Sequence, residues 1–104
     1  MAGTVWRTHR DGSEARRCRH LCGAINGDHS SVAVCLITSH LEDAPLFRIP
    51  VSAGRATGLK LESQVMLDKV IAIPRNKITG RAGALSAGAL KEVDRALRLW
   101  LDLA

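Results

Sequence analysis

"SVAVCLITS", residues 31–39, is the stretch whose reading decides the fold. It is β-branched and nearly continuous in apolar character, which reads as a buried strand. Cys35, inside the run, reads as a small core residue. Thr38 closes it, and two readings of that residue stay open. Its hydroxyl can project from the rim as a functional group, or it can be one more β-branched strand residue.

The pattern extends downstream. "APLFRIPV" (44–51) reads as a second strand, and Pro45 and Pro50, which lack ladder donors, favour an edge position. "SAGRATG" (52–58) is a turn-forming connection. "KLESQVMLDKVIAIP" (60–74) reads as strand, bend, strand, ended by Pro74. In it Val65 and Leu67 alternate with Met66 and Asp68, and Val70, Ile71 and Ile73 carry the second half. "SAGALKEVDRALRLWLDLA" (86–104) starts on Ser86, a good N-cap. Leu90, Val93, Leu97, Trp100 and Leu101 recur on one helical face, with Lys91, Glu92, Arg95 and Arg98 on the other. The spacing predicts an amphipathic terminal helix whose stripe is buried on a sheet or a partner.

Upstream the pattern fails. Thr4, Val5 and Trp6 can begin a short strand, but residues 7–31 lose all periodicity and read as loop. Strands followed by one helix predict a mostly β, α+β architecture, a small barrel or sheet with a covering helix. The 104 residues predict a single domain, 1–104, with one modest core.

Charge and composition bound the function. A formal net charge of +5 and a pI near 9.7 suit an anionic partner such as RNA or DNA, or simply a solvated basic surface. No apolar run approaches the roughly 18 residues that span a bilayer. The chain is polar by its seventh residue, so no signal peptide is expected. Three cysteines in mixed contexts fit a reducing, cytoplasmic compartment better than a disulfide framework.

No Gly-rich phosphate loop is present. Cys18, His20 and Cys22 alternate, with His29 further on, and match a zinc constellation in residue type only. Structural zinc sites use cysteine pairs two to four residues apart, so the spacing favours loop residues with one buried thiol. No metal and no cofactor are expected. Arg16, Arg17 and Arg19 cluster in the same stretch. Guanidinium groups fork onto phosphate oxygens, and on a loop they also simply face water.

Five blocks together, "VAVCLITS", "APLFRIPV", "GLKLESQVMLDKVIAIP", "KITGRAGALS" and "LKEVDRALRLWLDL", resemble in order and spacing the MazF/PemK-type toxins of bacterial toxin–antitoxin systems. The resemblance runs from about Ser31 to Ala104. It implies a small SH3-like barrel of the MazF/CcdB type with a C-terminal helix. It also implies a homodimer that cuts single-stranded RNA or mRNA without metal and is neutralised by an antitoxin protein. In such enzymes the RNA's own 2′-hydroxyl attacks, leaving a cyclic phosphate and a 5′-hydroxyl.

Carried over residue by residue, the resemblance places a phosphate-binding Thr on Thr38. An acidic site position falls on Asp68, which can equally be a surface ion pair with Lys69. Ser63 and Gln64 would lie by the RNA groove and read bases, or be polar residues of a barrel rim. Ser39, Lys69, Arg16 and Arg17 complete the implied RNA-binding set. "GTVW" (3–6) echoes the family's opening, and "GSEARRCRH" (12–20) resembles its "G-S-E-x-x-x-x-R-P". This sets Arg19 on the principal catalytic arginine, with His20 where proline is usual. There the pattern departs: "LCGAINGDHSS" (21–31) replaces a Val/Ile-rich strand. The break at Ser31 suggests a frame-shifted or degenerate segment over about residues 7–30. Two alternatives therefore accompany the endoribonuclease reading. One is an inactive module that still binds antitoxin, and through the complex operator DNA. The other is a gyrase inhibitor of the CcdB type.

Overall fold

The computed structural model describes residues 3–8, 20–23, 31–44 and 47–103. Six strands precede one helix: β1 (Thr4–Thr8), β2 (His20–Cys22), β3 (Ser31–Thr38), β4 (Arg48–Val51), β5 (Ser63–Pro74), β6 (Ile78–Ala84) and α1 (Ala87–Leu103). The strands form one antiparallel sheet in the order β4-β5-β3-β2-β1-β6.

β3 lies inside this order because it is apolar on both faces. Successive side chains of a strand point to opposite sides. Cys35 and Ile37 join a core with Val5, Cys22, Ile49, Val65 and Leu67, while Val34 and Leu36 join another with Leu21, Met66 and Ile73. α1 covers the first face. Val93 is fully buried there, with Ala89, Ala96 and Leu97 packed beside it. Each such burial contributes roughly 1.5–3 kcal/mol for a full-sized aliphatic side chain. The helix starts where Ser86 predicts: its Oγ accepts from Ala89 N–H at 3.1 Å, and its carbonyl accepts from Leu90 N–H at 2.9 Å.

The strand, bend, strand reading of 60–74 becomes one long element with an insertion. Cys35 faces Val70 and the next residue, Leu36, faces Met66, so Leu67, Asp68 and Lys69 are extra on β5. Such a bulge bends the strand and releases its residues from the ladder. Leu67 uses the freedom to enter the core, and its N–H donates to Phe47 O at 2.8 Å. β4 is an edge strand, as Pro50 predicts, with Pro50 opposite Gln64; Pro45 lies outside the described residues.

Two expectations need correction. Residues 7–31 are not all loop: Arg7 and Thr8 extend β1, and His20–Cys22 is a strand hydrogen-bonded to both β1 and β3. A strand stands where the sequence departs from the family's Val/Ile-rich one, and the described part of it is three residues long. It survives because Leu21 and Cys22 are wholly buried, one on each face. Its end is pinned as well, since Trp6 Nε1 donates to Gly23 O at 3.0 Å and Gly23 N–H to Thr4 O at 3.2 Å. β6 is the element that the apolar pattern does not announce. "ITGRAGA" carries two glycines and an arginine, yet it pairs with β1 from Ile78 to Ala84 through two register shifts.

β4 and β6 are the two edges of the sheet, and no ladder joins them among the described residues. The connection between β4 and β5 reaches across instead. Ala84 N–H donates to Ala56 O at 2.8 Å. Gly83 stands so close to the backbone of Ala56 and Thr57 that a Cβ would overlap it, and Gly58, at φ +74°, meets Ala82 in the same way. Within the connection, the buried Thr57 hydroxyl donates to Ser52 O at 2.9 Å. No helix among the described residues is long and apolar enough to cross a membrane.

This crossing sets a test. Gly58→Ala combines a left-handed backbone with overlap against Ala82, and the two together cost on the order of 3 kcal/mol. Urea unfolding followed by circular dichroism reads the loss. Gly54→Ala, with open space around its Cβ position, separates backbone strain from the overlap; equal losses in the two variants would show that the crossing contributes nothing.

Candidate functional site

Thr38 ends β3 on the face of Val34 and Leu36, away from α1. Directly across the ladder stands Gln64, and across Gln64 stands Pro50 of the edge strand. By the same alternation Arg48 occupies this face, opposite Met66. Residues 39–44 lead away from this end of the sheet and are tied back to it.

That loop is held by side chains. Gln64 treats the backbone of Glu42 as a neighbouring strand would: its Oε1 accepts from Glu42 N–H at 3.1 Å and its Nε2 donates to Glu42 O at 3.0 Å. Arg48 Nη1 donates to His40 O at 3.2 Å and to Gln64 Oε1 at 3.3 Å. Its Nη2 lies 3.2 Å from a carboxylate oxygen of Glu42. Because Glu42 is half exposed, that ion pair contributes at most about 1 kcal/mol. Ala44 O caps the arrangement by accepting from both Phe47 and Arg48 N–H at 2.9 Å. The Thr38 hydroxyl is half-buried at the base of the loop. Its oxygen accepts from His40 N–H at 3.0 Å, and among the described residues no hydrogen bond takes the hydroxyl proton.

The residues singled out from the sequence divide as follows. Thr38 and Gln64 are direct neighbours, and Ser39 follows Thr38, exposed at the start of the loop. Ser63 is on the other face, buried, with its hydroxyl donating to Leu61 O at 2.8 Å. Gln64, expected to read bases, commits its amide to the loop. Asp68 is exposed on the bulge of β5, four residues beyond Gln64 and so no more than about 14 Å along the chain. Lys69 belongs to the same bulge, and its side chain lies outside the described atoms. Arg16, Arg17 and Arg19 lie outside the described residues, as do Cys18 and His29.

The zinc reading loses Cys22. That thiol faces Cys35 across the β2–β3 ladder inside the core, and the hydrogen bond between the two, with burial, pushes the Cys22 thiol far above its ordinary range. A metal binds the thiolate, which this environment disfavours. Sequence reasoning missed Arg48, His40 and Glu42. One signal existed: "FRIPV" places a single arginine within an otherwise apolar strand, and a charge so placed needs partners.

Residues 10–101 match the family model described as PemK-like, MazF-like toxin of type II toxin–antitoxin system. The match begins well upstream of Ser31 and takes in the atypical segment. A protein of Mycolicibacterium smegmatis named probable endoribonuclease MazF is 41% identical, over 72% of this chain and 69% of that one. Endoribonuclease MazF9 of Mycobacterium tuberculosis is 27% identical, over 97% of this chain and 95% of its own. Among solved structures, an endoribonuclease in complex with its cognate antitoxin from mycobacterial species shares the fold, with a TM-score of 0.74 at 15% identity, covering 100% of this chain and 96% of that one. The sheet with its C-terminal helix is thus a MazF-type fold, and the chain belongs to the PemK-like, MazF-like toxin family of type II toxin–antitoxin systems.

Proposed function

We propose that the protein is a sequence-specific endoribonuclease toxin that cleaves single-stranded RNA or mRNA without metal, and that a cognate antitoxin protein neutralises it. Family membership supports this reading, and one observation carries it to a site. A half-buried hydroxyl, Thr38, ends a core strand with its oxygen held by the His40 amide.

The chemistry asks little of the protein beyond placement. The RNA 2′-hydroxyl gives up its proton and bonds to the adjacent phosphorus, the bond from phosphorus to the 5′-oxygen breaks, that oxygen takes up a proton, and a 2′,3′-cyclic phosphate remains. Negative charge gathers on the non-bridging oxygens in the crowded transition state. Preorganised donors aimed at that charge lower the barrier more than donors that must first reorient. Thr38 donates to one such oxygen. Arg19 supplies a forked cation to the same phosphate. Asp68 stands at the site as its carboxylate. Arg16, Arg17 and Lys69 hold the RNA backbone, and Ser39 meets the strand at the mouth of the loop. Ser63 and Gln64, whose polar atoms are engaged inside the protein, serve recognition by holding strand and loop in place.

In this reading the whole chain is one domain, the sheet curls into an SH3-like barrel with the β4–β5 connection drawing its edges together, and the protein works in the bacterial cytoplasm as a homodimer.

Two measurements test the reading. Purified protein with a mixed-sequence single-stranded RNA and EDTA should yield fragments with 5′-hydroxyl and cyclic phosphate ends. Thr38→Ala should slow cleavage about a hundredfold, the usual effect of deleting one transition-state donor, with the unfolding midpoint little changed. Cleavage equally fast without the Thr38 hydroxyl would remove this site, and antitoxin binding with no cleavage at all would leave an inactive module. Light scattering on the 11.2 kDa chain should report twice that mass; a monomer that cleaves RNA would refute the homodimer.

A further inference from the structure

Arg48 is a nearly buried charge to which the reaction above gives no part. Its side chain is only 12% exposed although it stands on an edge strand. Edge arginines ordinarily extend into water, because the free charge is best solvated there. This one folds back, and its three partners, His40 O, Gln64 Oε1 and the Glu42 carboxylate, all belong to or brace the loop that follows Thr38.

His40 is the link. Its carbonyl accepts from Arg48, and its N–H donates to Thr38 Oγ1. With backbone donor and acceptor tied to two side chains, the residue cannot turn without breaking one of them. The tie matters because a threonine hydroxyl has three staggered positions and a freely rotating proton. Holding the oxygen as acceptor of His40 N–H selects a position and directs the proton away from the loop. An arginine suits the task better than a lysine, since its planar fork serves several acceptors in fixed directions. The same engagement leaves Arg48 little to offer a phosphate.

We propose that Arg48 is a positioning residue: through the His40 backbone it fixes the Thr38 hydroxyl in the orientation that meets the scissile phosphate. The proposal rests on the reading of Thr38 as the phosphate donor, and its test keeps the two apart. Single-turnover cleavage of one RNA is followed for the wild type, Thr38→Ala, Arg48→Met, Arg48→Lys and the double variant Thr38→Ala/Arg48→Met. Arg48→Met should lower the limiting rate about tenfold, within the range that small misplacements of a reacting group cost, while half-saturating RNA changes less than about threefold on the same grounds. Arg48→Lys should recover part of the rate. In the Thr38→Ala background, Arg48→Met should have no further effect, because the hydroxyl it positions is gone.

Losses that multiply in the double variant would overturn the proposal, as would an Arg48→Met variant that keeps its rate and binds RNA weakly, the mark of a direct RNA contact. If Thr38→Ala alone leaves cleavage intact, the reading of Thr38 fails whatever Arg48 does. A measurement independent of activity completes the test. Hydrogen exchange at the His40 amide should quicken at least tenfold in Arg48→Met, or in Arg48→Lys should the former not fold, and unchanged exchange in a folded variant would refute the coupling.

Discussion

The pairing of β3 with β5 is the constraint on which the molecule depends. The centre of β3, Val34 to Ile37, is apolar to both sides and must lie where both faces are covered. That requirement puts β5 on one side and the short β2 on the other, asks α1 to cover one face, and sends the remaining strands outward to the edges. Three of the positions given a proposed role are located relative to this pair. Thr38 is its last residue, Gln64 the partner of that residue, and Asp68 the tip of its one irregularity.

From that pair the site follows by ordinary local physics. A strand that ends in open chain leaves backbone groups that need partners. Gln64 satisfies two of them on Glu42 and Arg48 a third on His40. The loop is thereby shaped by side chains rooted in strands as well as by its own turn at Ala44. A proposed catalytic hydroxyl placed at the foot of such a loop inherits the rigidity of the sheet, as a preorganised donor requires.

What the sequence could reveal tracks how each element obtains its stability. β3, β5 and α1 bury enough apolar side chains in a regular period that the pattern alone exposes them, and Pro50 marks the edge strand through its missing donor. β2 and β6 do not work that way. β2 exists because Leu21 and Cys22 fill two cores and Trp6 holds Gly23, which three residues of Arg- and Cys-rich sequence cannot signal. β6 exists because β1 needs a partner and because Gly83 permits a close backbone crossing. The site divides likewise. Thr38 was visible at the end of an apolar run, whereas Gln64 resembles any polar strand residue until its distance to Glu42 is known. Arg48 could be noticed as a charge out of place, but its link to Thr38 passes through the His40 backbone, which no residue pattern records.

The bulge of β5 has a consequence for how this fold can vary. Leu67, Asp68 and Lys69 are extra to the β3 ladder, and the segments before and after them keep register on their own. Leu67 is fastened inward, so the exposed residue beside it carries almost no structural duty. A change of side chain at position 68 leaves both halves of the strand, both cores and the loop supports untouched. The sheet thus contains a point where surface chemistry is uncoupled from folding. A substitution there changes the charge and shape that this edge presents without renegotiating the rest of the structure.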